Sequence, residues 1–177
     1  VTQPQIKEVS EKVYHEIIST DTIISSDIIN YVSNHNNLLF PILIGSDLRV
    51  LEKLNHTFDG ETYSPKPNKK KLSKTAFMYL NSPYLWGGRT PLGIDCSGFT
   101  QIVYKINGVK LSRDAHQQAN QGQTLSFIEE SEAGDLAFFD DSEGKIVHVG
   151  LLLENHCIIH AHGTVRIDQI DQTGIYN

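Results

Sequence analysis

The run Asp95-Cys96-Ser97-Gly98 lies near the middle of this chain of 177 residues. It is followed by apolar residues at helical spacing, namely Phe99, Ile102, Val103 and Ile106. This pattern predicts an amphipathic helix that begins at or just after Cys96. A thiol there lies near unpaired backbone N–H groups and the positive end of the helix dipole, and both stabilise its thiolate form. Cys96 is therefore a candidate nucleophile, with a buried structural cysteine as the alternative.

Length and composition fit a globular protein with one large domain or two small ones. Hydrophobic residues make up 39% of the chain, and the net charge is −6. An acidic chain argues against general nucleic-acid binding, and no apolar run approaches the roughly 18 residues of a membrane span. We therefore expect neither nucleic acid nor a membrane span among the features of this protein.

The sequence leaves the cellular compartment open. Its two cysteines, Cys96 and Cys157, do not make a disulfide framework. No secretory-signal pattern is present, and the first residue is Val1 rather than Met. Both the cytoplasm and the cell envelope stay possible.

Short elements dominate the first 64 residues. Residues 26–31 predict a short helix with Ser26 as its cap, and residues 40–44 predict a buried strand. Such elements are typical of a small β-barrel, but they are too few to close one. Pro65 and Pro67 then enforce extended backbone and end any helix. We predict a small, incomplete barrel domain at 1–64, a linker at 65–72 and a second domain at 73–177.

In the second domain, helical patterns come first and strands come later. Strands are predicted at 136–139, 146–153, 157–162 and 165–167. Helices followed by an antiparallel run of strands indicate an α+β fold.

Two histidines in successive predicted strands are candidates for the base that a thiol nucleophile needs. His148 and His160 share parity, so an even register puts both side chains on one face of the sheet. A turn centred on residue 154 would place them directly opposite each other. One of them would then accept the proton of Cys96 and the other would orient its ring.

These histidines have two other interpretations. A lone histidine in an apolar strand is more often a satisfied core residue, but the Cys96 motif in the same chain favours a functional role. His160 and His162 lie at i and i+2 on one strand face, which is compatible with zinc. Thiolate ligands of zinc usually come as paired cysteines at short spacing, and this chain has no such pair. We expect no metal and no cofactor.

Five short motifs occur in order along residues 73–177. They are Pro83-Tyr84-Leu85-Trp86-Gly87-Gly88, Asp95-Cys96-Ser97-Gly98-Phe99, Gly134-Asp135-Leu136-Ala137-Phe138-Phe139, His148-Val149-Gly150 and Ile159-His160-Ala161. In type, order and spacing they resemble the NlpC family of bacterial cell-wall cysteine peptidases. The resemblance implies a papain-like α+β core, in which the cysteine lies at a helix N-terminus packed against an antiparallel sheet.

The resemblance also implies roles for individual residues. Cys96 corresponds to the nucleophile, His148 to the base and His160 to the third, polar member of the triad. Substrate-binding positions are implied for Tyr84, Asp95, Ser97, Arg113 and Asp114. The last two begin a motif in which a serine often follows, whereas this chain has Ala115.

Residues 1–64 resemble, more weakly, the C-terminal part of a bacterial SH3-like domain, which precedes the peptidase domain in one branch of the family. That branch hydrolyses the γ-D-glutamyl–diamino acid bond of murein peptides, and its SH3-like domain favours short peptides with a free N-terminal L-Ala. The resemblance thus implies a murein-peptide peptidase, which we expect to be a monomer. An amidase or acyltransferase on the same fold and a cell-wall binding module are the alternatives.

Replacement of Cys96 by Ala should abolish release of diaminopimelate from L-Ala-γ-D-Glu-diaminopimelate, because the thiol is the expected nucleophile. Cys157→Ala is the matched control and should leave the rate unchanged. Chromatography of the free diamino acid measures both. Full activity in Cys96→Ala would contradict the assignment of the nucleophile.

Overall fold

The computed structural model describes residues 8–176, and the chain divides into two compact units between Ser64 and Pro65. Within residues 8–64, the elements of the first unit are α1 (Glu11–Ser19), β1 (Ile24–Ser25), β2 (Ile29–Asn34), β3 (Leu39–Leu43), a 3₁₀ turn (Glu52–Leu54), β4 (His56–Thr57) and β5 (Thr62–Tyr63). The strands form an antiparallel sheet in the order β3-β2-β4 and a separate pair β1-β5.

Two sequence predictions for the first unit need correction. The helix predicted at 26–31 is wrong, because that stretch runs into β2, where pairing with β3 outweighs the local capping signal. The strand predicted at 40–44 is confirmed as β3, but it is not buried, since Leu39 is 64% exposed and Phe40 is 44% exposed. The assignment of this unit as an SH3-like domain stays a prediction.

Helices and an antiparallel sheet make up the second unit, so the α+β prediction is confirmed. Within residues 65–176 its elements are a 3₁₀ turn (Lys69–Lys71), α2 (Leu72–Phe77), β6 (Arg89–Thr90), β7 (Gly93–Ile94), α3 (Cys96–Ile106), α4 (Ala115–Gln118), a 3₁₀ turn (Ile128–Glu130), β8 (Leu136–Asp140), β9 (Ile146–Leu153), β10 (Cys157–His162), β11 (Thr164–Asp171) and β12 (Gly174–Tyr176). The last five strands form one sheet in the order β12-β11-β10-β9-β8. No helix within residues 8–176 is both long and apolar enough to cross a membrane.

Helix α3 forms where the apolar spacing predicts it. The Asp95 carboxylate caps its first turn by accepting a hydrogen bond from the backbone N–H of Gly98 at 2.6 Å. The apolar residues of its repeat are buried, and the helix packs against β9 and β10. Phe99 also meets the ring of Tyr79 edge to face, with the centroids 6.1 Å apart. The N-terminus of α3 is thereby fixed against the sheet.

Gly150, in the middle of β9, allows the close packing of the sheet beside His160. It pairs with His160 on β10 and with Ala137 on β8. A Cβ atom at this position would lie 2.6 Å from Cδ1 of Ile158 and 2.9 Å from Cβ of His160. Any larger residue would therefore push these two side chains away.

The Gly150→Ala substitution should lower the free energy of unfolding by roughly 1–3 kcal/mol, because overpacking a tight core site displaces its neighbours. Urea denaturation measures the change. Gly144→Asn is the control, since the loop there leaves open space and asparagine tolerates its left-handed φ of 76°. Equal midpoints for Gly150→Ala and the unchanged protein would show that the sheet relaxes at no cost.

Candidate active site

Cys96 is buried at the N-terminus of α3, against the backbone of β9. Burial raises the pKa of its thiol, and the negative charge of Asp95 acts in the same direction. Hydrogen bonds from the backbone N–H groups of Val149, Ser97 and Cys96 itself lower the pKa but do not reverse the rise. The favourable helix N-terminus that the sequence predicts is therefore present, but burial outweighs it, and the resting group is a thiol.

His148 directly precedes Val149, the residue whose N–H reaches the sulfur of Cys96. Phe139 pairs with His148 but Asp140 pairs with Ile146, so Val147 is an extra residue in β9 and forms a bulge. Bulges bend a strand and redirect the adjacent side chain. Burial, with the nearby positive charge of His160 and His162, lowers the pKa of His148 to about 4. The imidazole is therefore neutral near pH 7 and can accept a proton.

His148 and His160 are joined by a hydrogen bond, with 2.8 Å between Nε2 of His148 and Nδ1 of His160. The predicted common face is confirmed, because Gly150 pairs with His160 and the register is even. The two histidines are not directly opposite, as a turn centred on residue 154 would have placed them: Leu153 pairs with Cys157, so the turn is centred on residue 155 and the histidines are diagonal neighbours. Asn155 and His156 lie in this turn, and both adopt left-handed backbone.

The far side of His160 contacts an ion pair that the sequence interpretation missed. Nε2 of His160 lies 2.8 Å from Oδ2 of Asp168, and Nη2 of Arg166 donates to Oδ1 of Asp168 at 2.7 Å. The side chains of His160 and Asp168 are only 5% and 7% exposed. The sequence contained a signal for this contact, namely the glycine at position 163. A tight turn at Gly163 places Arg166 opposite His160 and puts Asp168 on the same face of the sheet.

A second ion pair lies on the other side of Cys96. Asp95 accepts hydrogen bonds from both Nη atoms of Arg113, at 3.1 and 2.6 Å, and from the backbone N–H of Gly87 at 2.8 Å. Arg113 also donates to Oγ of Ser97 at 2.9 Å. Burial alone would raise the pKa of Asp95, but the hydrogen bonds from Arg113, Gly98 and Gly87 outweigh it, and the pKa is lowered.

These contacts change the interpretation of the predicted substrate-binding residues. Asp95 is a helix cap and the partner of Arg113, so both of its oxygens already have donors and are poorly placed for the substrate contact that the resemblance implies. Tyr84 is half-buried near the thiol: burial raises its pKa, and the charge that Cys96 carries when it is ionised raises it further. Asp114, at the start of α4, is exposed.

Comparison with known proteins identifies relatives of the second unit. The model of the NlpC/P60 family matches residues 81–177. The gamma-D-glutamyl-L-lysine dipeptidyl-peptidase of Bacillus subtilis is 40% identical over 107 residues, which cover 59% of this chain and 36% of that protein. Dipeptidyl-peptidase 6 of Lysinibacillus sphaericus is 33% identical over 120 residues, covering 66% of this chain and 40% of that protein. The chain thus spans about a third to two fifths of these curated relatives.

A solved structure of similar fold covers both units. A crystal structure of an NlpC/P60 family protein from Bacillus cereus matches 94% of this chain and 63% of its own, with a TM-score of 0.70 and 22% identity. At that identity the likeness concerns the fold alone. It agrees with the predicted papain-like arrangement of helix and sheet.

The free energy of unfolding should fall as the pH decreases from about 6.5 to about 4, the ordinary and the folded pKa of His148. In this window the unfolded chain binds a proton at His148 that the folded protein does not bind, so stability rises with pH. The full window corresponds to roughly 3 kcal/mol. His160 acts in the same direction, because burial lowers its pKa despite Asp168.

Urea titrations at several pH values measure this slope. His148→Gln should flatten the slope, whereas His116→Gln, which removes an exposed imidazole from α4, should not. A slope that persists unchanged in His148→Gln would show that other groups cause it.

Proposed function

Because the chain belongs to the NlpC/P60 family, we propose that it is a cysteine peptidase that hydrolyses the γ-D-glutamyl–diamino acid bond of murein peptides. The observation that carries the proposal is the hydrogen-bonded pair His148–His160, which lies beside the β9 backbone that holds the thiol of Cys96. Relatives in Bacillus subtilis and Bacillus cereus are named gamma-D-glutamyl-L-lysine dipeptidyl-peptidase, which supports this bond as the target.

In the proposed reaction His148 takes the thiol proton while the sulfur of Cys96 attacks the γ-carbonyl carbon of D-Glu. Burial disfavours the charged forms of both groups, thiolate and imidazolium, before the reaction. The proton is therefore transferred as the bond between sulfur and carbon forms. The backbone N–H groups of Cys96 and Ser97 face the sulfur in the resting protein, and we assign them to the oxyanion that develops next to it. His148 then protonates the leaving amine of the diamino acid. Water hydrolyses the remaining thioester, releasing L-Ala-γ-D-Glu and restoring the thiol.

The second part of the proposal is a preference for peptides with a free N-terminal L-Ala. A dipeptidyl-peptidase, as the relatives are named, removes a dipeptide from an N-terminus. Asp95 is occupied by Arg113, so we assign the contact with the α-ammonium group to the exposed carboxylate of Asp114, the next residue along the chain. We propose that Tyr84 lines the substrate cleft, and that Ser97 and Arg113 hold the residues of the cleft in position.

Domain assignments complete the proposal. Residues 73–177 would form the catalytic domain, residues 65–72 the linker, and residues 1–64 part of an SH3-like domain. A cell-wall binding module is the competing function. A neutral imidazole at His148, next in sequence to the Val149 N–H that reaches the thiol, favours catalysis over binding alone.

Incubation with L-Ala-γ-D-Glu-L-Lys and with the diaminopimelate peptide tests the activity, with Cys96→Ala as the blank. N-acetylation of L-Ala should lower kcat/KM at least about tenfold, because a charge-assisted hydrogen bond contributes roughly 1.5–3 kcal/mol. Asp114→Asn should reduce cleavage of the free peptide by a similar factor and leave the acetylated peptide unchanged. Glu143→Gln, which removes an exposed carboxylate from another loop, is the control. Equal kcat/KM for both peptides would contradict the proposed preference.

A further inference from the structure

His160 lies between the proposed base, His148, and the ion pair of Asp168 with Arg166. The order of donors and acceptors along these groups bears on which nitrogen of His148 carries its proton. We propose that Asp168, oriented by Arg166, is a positioning residue that keeps His148 in the tautomer with its proton on Nε2 and its lone pair on Nδ1. The inference rests on the proposed function, since it explains how the base of that reaction stays reactive.

Arg166 and Asp168 form the outer end of the chain of contacts. A guanidinium group only donates hydrogen bonds and a carboxylate only accepts them. Arg166 donates to Oδ1 of Asp168, and Oδ2 of Asp168 lies 2.8 Å from Nε2 of His160. Nε2 of His160 must therefore carry a proton.

The surroundings of His160 disfavour a positive charge on its ring. Arg166 and Asp168 already balance each other, and both His160 and Asp168 are almost fully buried, so a further positive charge is unfavourable. Burial, with the positive charge of His162 and Arg166, lowers the pKa of His160 although Asp168 raises it. A neutral imidazole has one N–H. Because Nε2 carries it, Nδ1 of His160 is an acceptor.

The acceptor at Nδ1 of His160 determines which nitrogen of His148 carries its proton. Nε2 of His148 lies 2.8 Å from Nδ1 of His160, so Nε2 of His148 donates and Nδ1 of His148 keeps its lone pair. The two histidines alone do not select this state. If both protons moved to the Nδ1 atoms, the bond between the rings would be preserved in the opposite direction, but Nδ1 of His148 would have no lone pair for the thiol proton. Asp168 is the group that selects between the two states.

Asp168→Asn should invert the chain of hydrogen bonds with almost no change in volume. Because Arg166 only donates, it holds the amide carbonyl of Asn, and the amide NH₂ faces Nε2 of His160. His160 must then carry its proton on Nδ1 and donate to His148, which places the proton of His148 on Nδ1. We expect kcat to fall about 10²- to 10⁴-fold, as for the wrong tautomer of other catalytic histidines. KM should change little, because the carboxylate of Asp168 is only 7% exposed and its two oxygens are held by His160 and Arg166.

A double variant distinguishes reversal of the hydrogen-bond direction from general destabilisation of the protein. In Arg166→Met/Asp168→Asn no guanidinium holds the carbonyl, so the amide can rotate and present its oxygen to His160. We expect kcat to recover at least about tenfold over Asp168→Asn alone, a non-additive result that simple destabilisation does not produce. Asp171→Asn, a second acid-to-amide change on β11, is the matched control and should retain kcat.

Nitrogen-15 NMR of the imidazole rings near neutral pH reports the tautomers directly and needs no substrate. In the unchanged protein, Nδ1 of both His148 and His160 should be unprotonated, with the signals of His148 assigned from the His148→Gln spectrum. In Asp168→Asn both protons should appear on Nδ1. A protonated Nδ1 of His148 in the unchanged protein, or an Asp168→Asn variant with full kcat, would overturn the inference.

The two proposals can fail separately. Tautomers as inferred in a protein that releases no diamino acid would retain the role of Asp168 and reject the proposed substrate. Release of the diamino acid by a protein whose His148 carries its proton on Nδ1 would retain the peptidase and reject the role of Asp168.

Discussion

Burial of the N-terminus of α3 against β9 is the constraint on which the candidate site depends. It brings the sulfur of Cys96 to the backbone N–H of Val149 and places the thiol one residue from His148 along β9. The same burial removes water, which raises the pKa of the thiol and lowers that of His148. A buried thiol that does not ionise by itself requires a base whose lone pair already points towards it. Packing and electrostatics therefore both require that the second histidine, His160, orients the ring of His148.

Two ion pairs, Asp95–Arg113 and Asp168–Arg166, lie in the surroundings of the site. In each, a buried carboxylate holds a partly exposed guanidinium group, so neither pair leaves a net charge there. Such a pair contributes little net stability, since desolvation of the carboxylate offsets its attraction. Its effect is geometric. Asp95 fixes the start of α3 through Gly98, and Asp168 fixes His160, so each carboxylate orients a group that the proposed chemistry uses.

Regular spacing in the sequence was sufficient to predict α3, the strands at 146–153 and 157–162, and the common face of His148 and His160. Features set by contacts between distant segments were not predictable in the same way. The register of β9 and β10 follows from a turn centred on residue 155, in which Asn155 and His156 both adopt left-handed backbone. The bulge at Val147 depends on the pairing with β8, which no local pattern reports.

Asp95 illustrates why sequence neighbours of a nucleophile are poor guides to substrate contacts. An acid beside Cys96 suggests an electrostatic role towards ligand, and the local sequence is equally compatible with a helix cap. Arg113, eighteen residues away, decides between them by taking both carboxylate oxygens. A substrate ammonium group that displaced it would leave a guanidinium group without its carboxylate in a partly buried position, which costs more than the new contact gains. The proposed recognition of a positively charged N-terminus is therefore assigned to an exposed carboxylate that substrate binding itself would desolvate, and Asp114 is exposed.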